Sequence, residues 1–376
     1  MKLRFLRPLY EGPAGYVSVY LDTSRAHENA PEAVALRWRA ARERLAGEGA
    51  DPATLDAVQE VITDPALAAP GRAVFAHHGN IAFSFPLRTP PRREIARVAP
   101  LPHLMPLLAQ NPPPAPHLLV AANRAGGEIV AVNGAGEESH GSVTPNGWPV
   151  HKTSVGGWSQ ARFQRSAEEA WEMNAKELAS AVTDAAAGAR AGHIIIGGDT
   201  RARSLLFDHL ETRLQAMTVL VDHEIPAESP AMMAAADEAI SARAETESRE
   251  RFDEWHAQRA HSGAVEGVDD TLAALRDGRV AELFVADRPT STAEVWIGPG
   301  GTDVAVREAE LGDWGVTAPV KDRADAAIVR ALAVTDADLF FLPEDVIATK
   351  EPAAPQEGIR SPRDGVCATL RWADSS

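Results

Sequence analysis

The stretch SVGGWSQARFQRSAEEA, residues 154–170, brings together two glycines, an amide side chain and two arginines. Gln160 carries both a donor and an acceptor but no charge, so it could orient a water for attack on an ester without itself taking a proton. Gly156 and Gly157 reach backbone angles closed to other residues and let a chain approach a ligand closely. Arg162 and Arg165 stand three apart and share a face if the helix has begun there. From Ser139 to Ala167 there is no Asp or Glu, while the same window holds Lys152, Arg162, Arg165, His140 and His151. With 53 acids in 376 residues, about four would fall in such a window by composition alone. A basic-edged surface free of acids is suited to meeting phosphate. The same residues also read as a plain glycine loop leading into a helix, and spacing alone leaves both readings open.

Other chemistries fit less well. Gly157-Trp-Ser-Gln-Ala161 approaches the G-x-S-x-G nucleophile elbow, with alanine in the last place. That elbow needs a buried strand directly before it. Thr144–Thr153 instead holds two prolines and no apolar run, which argues against a serine hydrolase. His77 and His78 are adjacent and point to opposite faces of a strand. His193, His209 and His223 are scattered, with no H-E-x-x-H spacing. No metal site and no cofactor is expected. Gly197-Gly-Asp-Thr200 lacks a phosphate-loop signature and reads as a strand-end turn with an N-cap. Trp171 and Met173 read as core residues. Cys367 is the only cysteine, which excludes an internal disulfide and a multi-cysteine metal centre.

These residues need a scaffold, and the chain is long enough for two or three domains. The N-terminal region shows a strand at residues 16–21, helices at 31–45 and from Asp51-Pro52 onward, and a strand pair at 72–77 and 80–85 joined by His78-Gly79. The proline-rich stretch 111–116 marks a boundary. Strands follow at 117–122 and 128–132, then a Gly/Ser-rich stretch. A long helix is expected from Glu168 to about Ala187, a buried strand at 193–196, a helix at 201–214 and a buried strand at 218–221. The last region begins with a helix at 231–260. Helices at 268–276 and 323–334 and strands at 282–285, 294–297, 338–342 and 368–372 complete it. Alternating strands and helices imply layered α/β domains. The domains are expected at 1–112, 113–225 and 226–376.

Net charge is −16, divided as +2, −4 and −14 over those three regions. The protein as a whole should not coat RNA, because such binding scales with cationic phosphate contacts. The acidic last region suits a basic protein partner. No apolar run approaches the roughly 18 residues that span a bilayer, and the N-terminus lacks the apolar block of a signal peptide. No membrane partner is expected, and the reading is cytoplasmic.

The middle and last regions resemble the archaeal/eukaryotic class-1 release factor and Pelota superfamily in its bacterial branch. The resemblance rests on the glycine loop before a long helix, on GVDDTLAALRDGRVAELFV (Gly267–Val285) and on the closing GVCATLRW (Gly365–Trp372). It covers roughly residues 113–376. Residues 1–112 are similar only to bacterial relatives, including an actinobacterial subgroup that shares Pro149-Val-His-Lys152 and the Gly-Trp pattern. The resemblance implies a divergent N-terminal α/β domain and a release-factor-like middle α/β domain. It also implies a C-terminal α/β/α sandwich like the kink-turn-binding ribosomal proteins. Release factors carry a Gly-Gly-Gln tip that enters the peptidyl transferase centre and helps water attack peptidyl-tRNA. Here Trp158 follows Gly156-Gly157, and Gly157-x-x-Gln160 instead looks like the spacing of eukaryotic ribosome quality-control tRNA hydrolases. The resemblance makes Gln160 the counterpart of their glutamine, and Gly156, Gly157, Lys152, Arg162 and Arg165 the contacts to tRNA or 23S rRNA. The branch includes the hibernation factor Balon, which occupies the ribosomal A site without terminating synthesis. The implied function is a ribosome-binding factor of hibernation or rescue. One alternative is a peptidyl-tRNA or tRNA-end hydrolase using Gln160. The other is a scaffold that recruits an EF-Tu-like GTPase.

Overall fold

A computed structural model describes residues 1–12, 14–25, 29–110, 115–134, 137–144, 159–222, 226–287, 293–342 and 362–372, with backbone alone over 159–167. The chain divides into two compact units, residues 1–112 with 248–376, and residues 113–247.

The first unit opens with β1 (Tyr16–Asp22), α1 (Ala30–Gly47), α2 (Pro52–Thr63), β2 (Gly71–His77), β3 (Asn80–Leu87), β4 (Ile95–Ala99) and α3 (Met105–Gln110). The strands form an antiparallel sheet in the order β3-β2-β1-β4. Asp51 caps α2 by accepting the Thr54 N–H at 2.9 Å, and Pro52 takes a position where no N–H is needed. His78 and Gly79 both have positive φ, 47° and 77°, and close the β2–β3 hairpin with the hand that matches strand twist. Side chains alternate along the strands. Val17, Val19 and Val74 pack on Trp38, Leu45 and Leu55 of the two helices. Tyr16, Tyr20 and Phe75 turn the other way and share a core with Leu272, Leu283, Ile328 and Leu332.

The second unit holds β5 (His117–Asn123), β6 (Gly126–Val132), β7 (Glu138–Val143), α4 (Ser159–Ala189), β8 (His193–Gly198), α5 (Thr200–His209), α6 (Thr212–Gln215) and β9 (Thr218–Leu220). Helix α7 (Pro230–Arg259) follows, and its residues from Ser248 onward belong to the first unit. The sheet order is β7-β6-β5-β8-β9, antiparallel across β7-β6-β5 and parallel across β5-β8-β9. The central strands are buried on both faces. Leu118, Val120, Ile194 and Ile196 meet Leu178 and Val182 of α4 and Leu206 of α5. Leu119, Val130 and Ile195 meet Met232 and Ala236 of α7.

The rest of the first unit contains β10 (Ala264–Glu266), α8 (Val268–Arg276), β11 (Val280–Val285), β12 (Glu294–Ile297), β13 (Val304–Ala305), α9 (Glu308–Asp313), β14 (Val320–Arg323), α10 (Ala324–Thr335), β15 (Asp338–Phe341) and β16 (Val366–Leu370). One sheet runs β10-β16-β11-β15 and a smaller one β13-β12-β14. Helix α10 is buried from Ala326 to Ala333, which includes Arg330. Its guanidinium donates to the carbonyls of Gly298 and Asp303, both at 2.8 Å, as a buried cation requires.

The architecture is mixed α/β with several sheets, as the strand–helix alternation implies. Four local features differ from the sequence reading. Helix α4 starts at Ser159 rather than near Glu168, because SQARFQRSA has no Gly or Pro and consists mostly of good helix formers. Strand β7 occupies part of the Gly/Ser-rich stretch. Strand β9 is an edge strand whose Val219 and Leu220 are each 42% exposed, not a buried one. The expected helix 201–214 breaks at Leu210, whose backbone is extended and whose side chain is buried; the Phe207 carbonyl there accepts the Leu210 N–H at 3.1 Å and Gln215 Nε2 at 2.9 Å. Among the described residues, no helix is long and apolar enough to cross a membrane.

Candidate nucleic-acid interface

Gln160, Arg162 and Arg165 lie in the opening turns of α4. Lys152, Gly156 and Gly157 lie outside the described residues, with the rest of 145–158. The structure describes what holds that segment's two ends. Further along α4, buried Asn174 donates from Nδ2 to the Arg124 carbonyl at 3.0 Å, tying the helix to the β5–β6 turn. Gly126 in that turn has φ 132°, and a Cβ there would stand 1.9 Å from the Val143 carbonyl oxygen at the end of β7. Only glycine permits this approach of turn and strand.

Beside these anchors, two guanidinium groups lie over the Trp171 ring. Arg124 is 4.8 Å and Arg201 5.5 Å from its ring centroid. Two cations on one ring repel each other unless acids offset them, and here both are offset. Arg124 pairs with Asp199 at 3.2 Å and Arg201 with Glu168 at 3.4 Å. Burial pushes the Asp199 carboxyl up. The Ala202 N–H and the Arg124 guanidinium outweigh burial and hold it below its ordinary range. The side chains of Arg124 and Arg201 remain 56% and 57% exposed, so each keeps donors facing solvent. Guanidinium groups gathered over an aromatic ring can hold phosphate oxygens.

Asp199 caps α5 after a strand-end turn, as the sequence implied. Met173 is 64% exposed and is not a core residue, while Trp171 is half-buried. Arg124 and Arg201 escaped the sequence reading, since they lie on separate elements and share no periodic spacing with Trp171. The window without acids is also less bare in space than in sequence. His140 Nδ1 stands 2.7 Å from Glu228 Oε1, and Glu138 approaches its other nitrogen at 3.9 Å. His77 and His78 pack edge to face. Burial, with Arg243 and His117 nearby, holds the His193 imidazole below its usual pKa. Among the described residues, no group of three His, Cys, Asp or Glu side chains could hold a metal. Cys367 is buried, and burial pushes its thiol pKa far up, away from reactivity.

Residues 116–261 match the family described as bacterial archaeo-eukaryotic release factor family 2. The chain is 28% identical over 386 positions to Rv2629, an uncharacterized protein of Mycobacterium tuberculosis strain H37Rv, covering 99% of this chain and 97% of that one. MT2704 of strain CDC 1551 matches equally. Similar solved structures include the archaeal translation termination factor aRF1, at 15% identity, 99% coverage of each chain and a TM-score of 0.23. Ribosome-bound archaeal Pelota with ABCE1 is similar at 12% identity, 99% coverage of this chain, 94% of that one and a TM-score of 0.38. The family match spans β5 to β9, α4 and α7, and so the unit that carries Gln160. Over residues 116–261, then, the chain is similar to the bacterial archaeo-eukaryotic release factor family.

Proposed function

We propose that this protein is a ribosome-binding translation factor that enters the A site in hibernation or rescue, with segment 154–165 directed toward the peptidyl transferase centre. One observation carries the reading. The segment with Gln160, Arg162 and Arg165 lies inside the stretch that matches the release-factor family, and no acid occurs from Ser139 to Ala167. Gly156 and Gly157 allow close approach to RNA, and Lys152, Arg162 and Arg165 meet phosphates. The Arg124–Trp171–Arg201 cluster supplies further contact at the same end of α4. The large negative charge of the remaining chain limits non-specific RNA binding, so affinity depends on this local surface.

The Gly157-x-x-Gln160 spacing favours a second reading, hydrolysis of the peptidyl-tRNA ester. Positioning a water and stabilising the oxyanion supply much of such a barrier reduction. One experiment separates the readings. Purified protein is mixed with vacant and with peptidyl-tRNA-loaded ribosomes, and sedimentation and ester cleavage are scored together. Hibernation or rescue by occupancy gives co-sedimentation without cleavage. Hydrolysis gives cleavage that Gln160→Ala reduces at least about 100-fold while sedimentation persists. Binding to a GTPase that survives deletion of 154–165, with no ribosome sedimentation, would replace both with a scaffold role.

A further inference from the structure

Strand β4 forms one border of the N-terminal sheet, and among the described residues no further strand pairs with its outer edge. The Val98 N–H shows which groups face outward, because it donates to Glu48 Oε2 at 2.8 Å instead of to the neighbouring strand. Strand residues two apart turn their N–H and C=O to the same side, so those of Ala96 also point outward. The hairpin gives the same answer. His77 and Asn80 pair across a two-residue loop, which turns His77 toward β3 and Ala76 toward β1. Carried through Val17 and Ser18, that alternation sets Arg97 toward β1 and Ala96 away from it. Glu48 meets the outward N–H of Val98, but the outward N–H and C=O of Ala96 have no partner among the described residues.

A groove of about 270 Å³ runs beside this edge. Ile95 and Ala96 line it from β4, and Leu36, Ala40, Ala41 and Arg44 line it from α1. Leu36, Ala40 and Arg44 follow one another at four-residue spacing and share a helix face. All three are exposed, Leu36 by 63%. Arg37 also borders the groove, and it is taken up by Asp22 at 3.3 Å and Glu94 at 3.4 Å. Arg44 makes no ion pair among the described residues, so it gives the groove its net positive charge. No aromatic ring lines the groove, and nucleobases find no stacking surface in it.

We propose that this groove takes an acidic segment of a partner protein in extended form, added as a fifth strand to the open edge of β4. Its backbone pairs with Ala96. Alternate side chains fall on the α1 side of the sheet, an apolar one against Leu36 and Ala40 and, two residues along, a carboxylate at Arg44. The proposal stands apart from the ribosome-binding reading and uses a different unit of the chain.

The test uses the full chain, labelled with 15N, and two capped peptides followed by NMR. One peptide is Thr-Val-Thr-Val-Thr-Asp-Thr and the other carries Lys in place of its Asp. We expect the Asp peptide to saturate one site, to slow exchange of the Ala96 amide with solvent, and to bind about fivefold tighter than the Lys peptide. Arg44→Glu should reverse that preference, a change that a merely structural role for Arg44 would not produce. Leu36→Asp replaces an exposed side chain, so the fold should persist, and it should weaken binding of both peptides. Circular dichroism checks that each variant is folded. Absence of saturable binding, equal affinity of the wild type for the two peptides, a preference that Arg44→Glu leaves unchanged, or an Ala96 amide already protected in the free protein would overturn the proposal. So would displacement of the Asp peptide by a short oligouridylate, which would assign the groove to RNA.

Discussion

Asp199 accepts the N–H groups of Arg201 and Ala202, each at 3.0 Å, and meets Arg124 at 3.2 Å. One carboxylate thereby caps α5 and orients a guanidinium over Trp171. Its pKa is the balance of burial, which raises it, and these cationic and N–H partners, which lower it further. The net shift is downward, so the folded state binds the proton less readily than the unfolded chain. Its stabilising contribution is therefore complete above the unfolded pKa of about 3.9 and is lost as pH falls through the lower folded value. Asp199→Ala should cost about 1 kcal/mol near neutral pH, the usual worth of an N-cap. The gap between wild type and variant in urea unfolding should be constant from about pH 6 to about pH 5 and narrow as pH falls below about 4. A gap that stays constant over that range would show that the ionised carboxylate is not what stabilises the helix start.

At the scale of elements, the parallel pair β5–β8 sets the middle unit, and a glycine decides how β8 ends. Gly198 has φ 109°, and a Cβ there would lie 1.9 Å from the Ala122 carbonyl oxygen on β5. Gly198→Ala meets both an unfavourable backbone and a collision with a strand, and should cost about 2–5 kcal/mol in chemical denaturation. Gly188, near the end of α4, has open space around it. Gly188→Ala should leave stability unchanged or raise it by up to about 1 kcal/mol. Equal effects at the two sites would remove the geometric argument. Much of this layer was legible in the sequence. His193–Ile196 reads as a buried strand because three isoleucines in a row suit burial on both faces, and Gly197-Gly-Asp-Thr200 reads as a turn and a cap. Strand β7 was not legible, because ESHGSV at a sheet edge has no apolar alternation to report it. Strand β9 shows the converse, since apolar letters identify a strand but not whether a neighbour covers it. The platform at Trp171 was hidden for a third reason. Its arginines come from a β-turn and from the start of another helix, and only the fold brings residues 124, 171 and 201 together.

On the scale of the whole molecule, local patterns cannot show that residues 1–112 and 248–376 share a core, because the partners are far apart in sequence. Asp322 is where that long-range contact is polar. It is 2% exposed, and burial pushes its carboxyl pKa up. It is held by Arg97 at 3.0 Å, by the Leu101 N–H at 2.8 Å and by the Arg323 N–H at 2.7 Å. Two of those three donors come from the N-terminal region. Replacing Asp322 by alanine leaves a guanidinium and a buried N–H without their acceptor. Breaking one side of a buried pair in this way costs about 3–5 kcal/mol, far more than the pair contributes against an apolar substitute. Asp322→Ala should therefore weaken hydrogen-exchange protection in β1 and β4 as well as in α10, although β1 and α10 are about 300 residues apart. Arg97→Met in the same variant removes the stranded cation and should restore part of the protection. If protection falls only in residues beyond 248, the two regions are joined by apolar contact alone and the ion pair is incidental. If it falls in both and Arg97→Met recovers it, a single carboxylate couples the N-terminal region to the rest of the first unit.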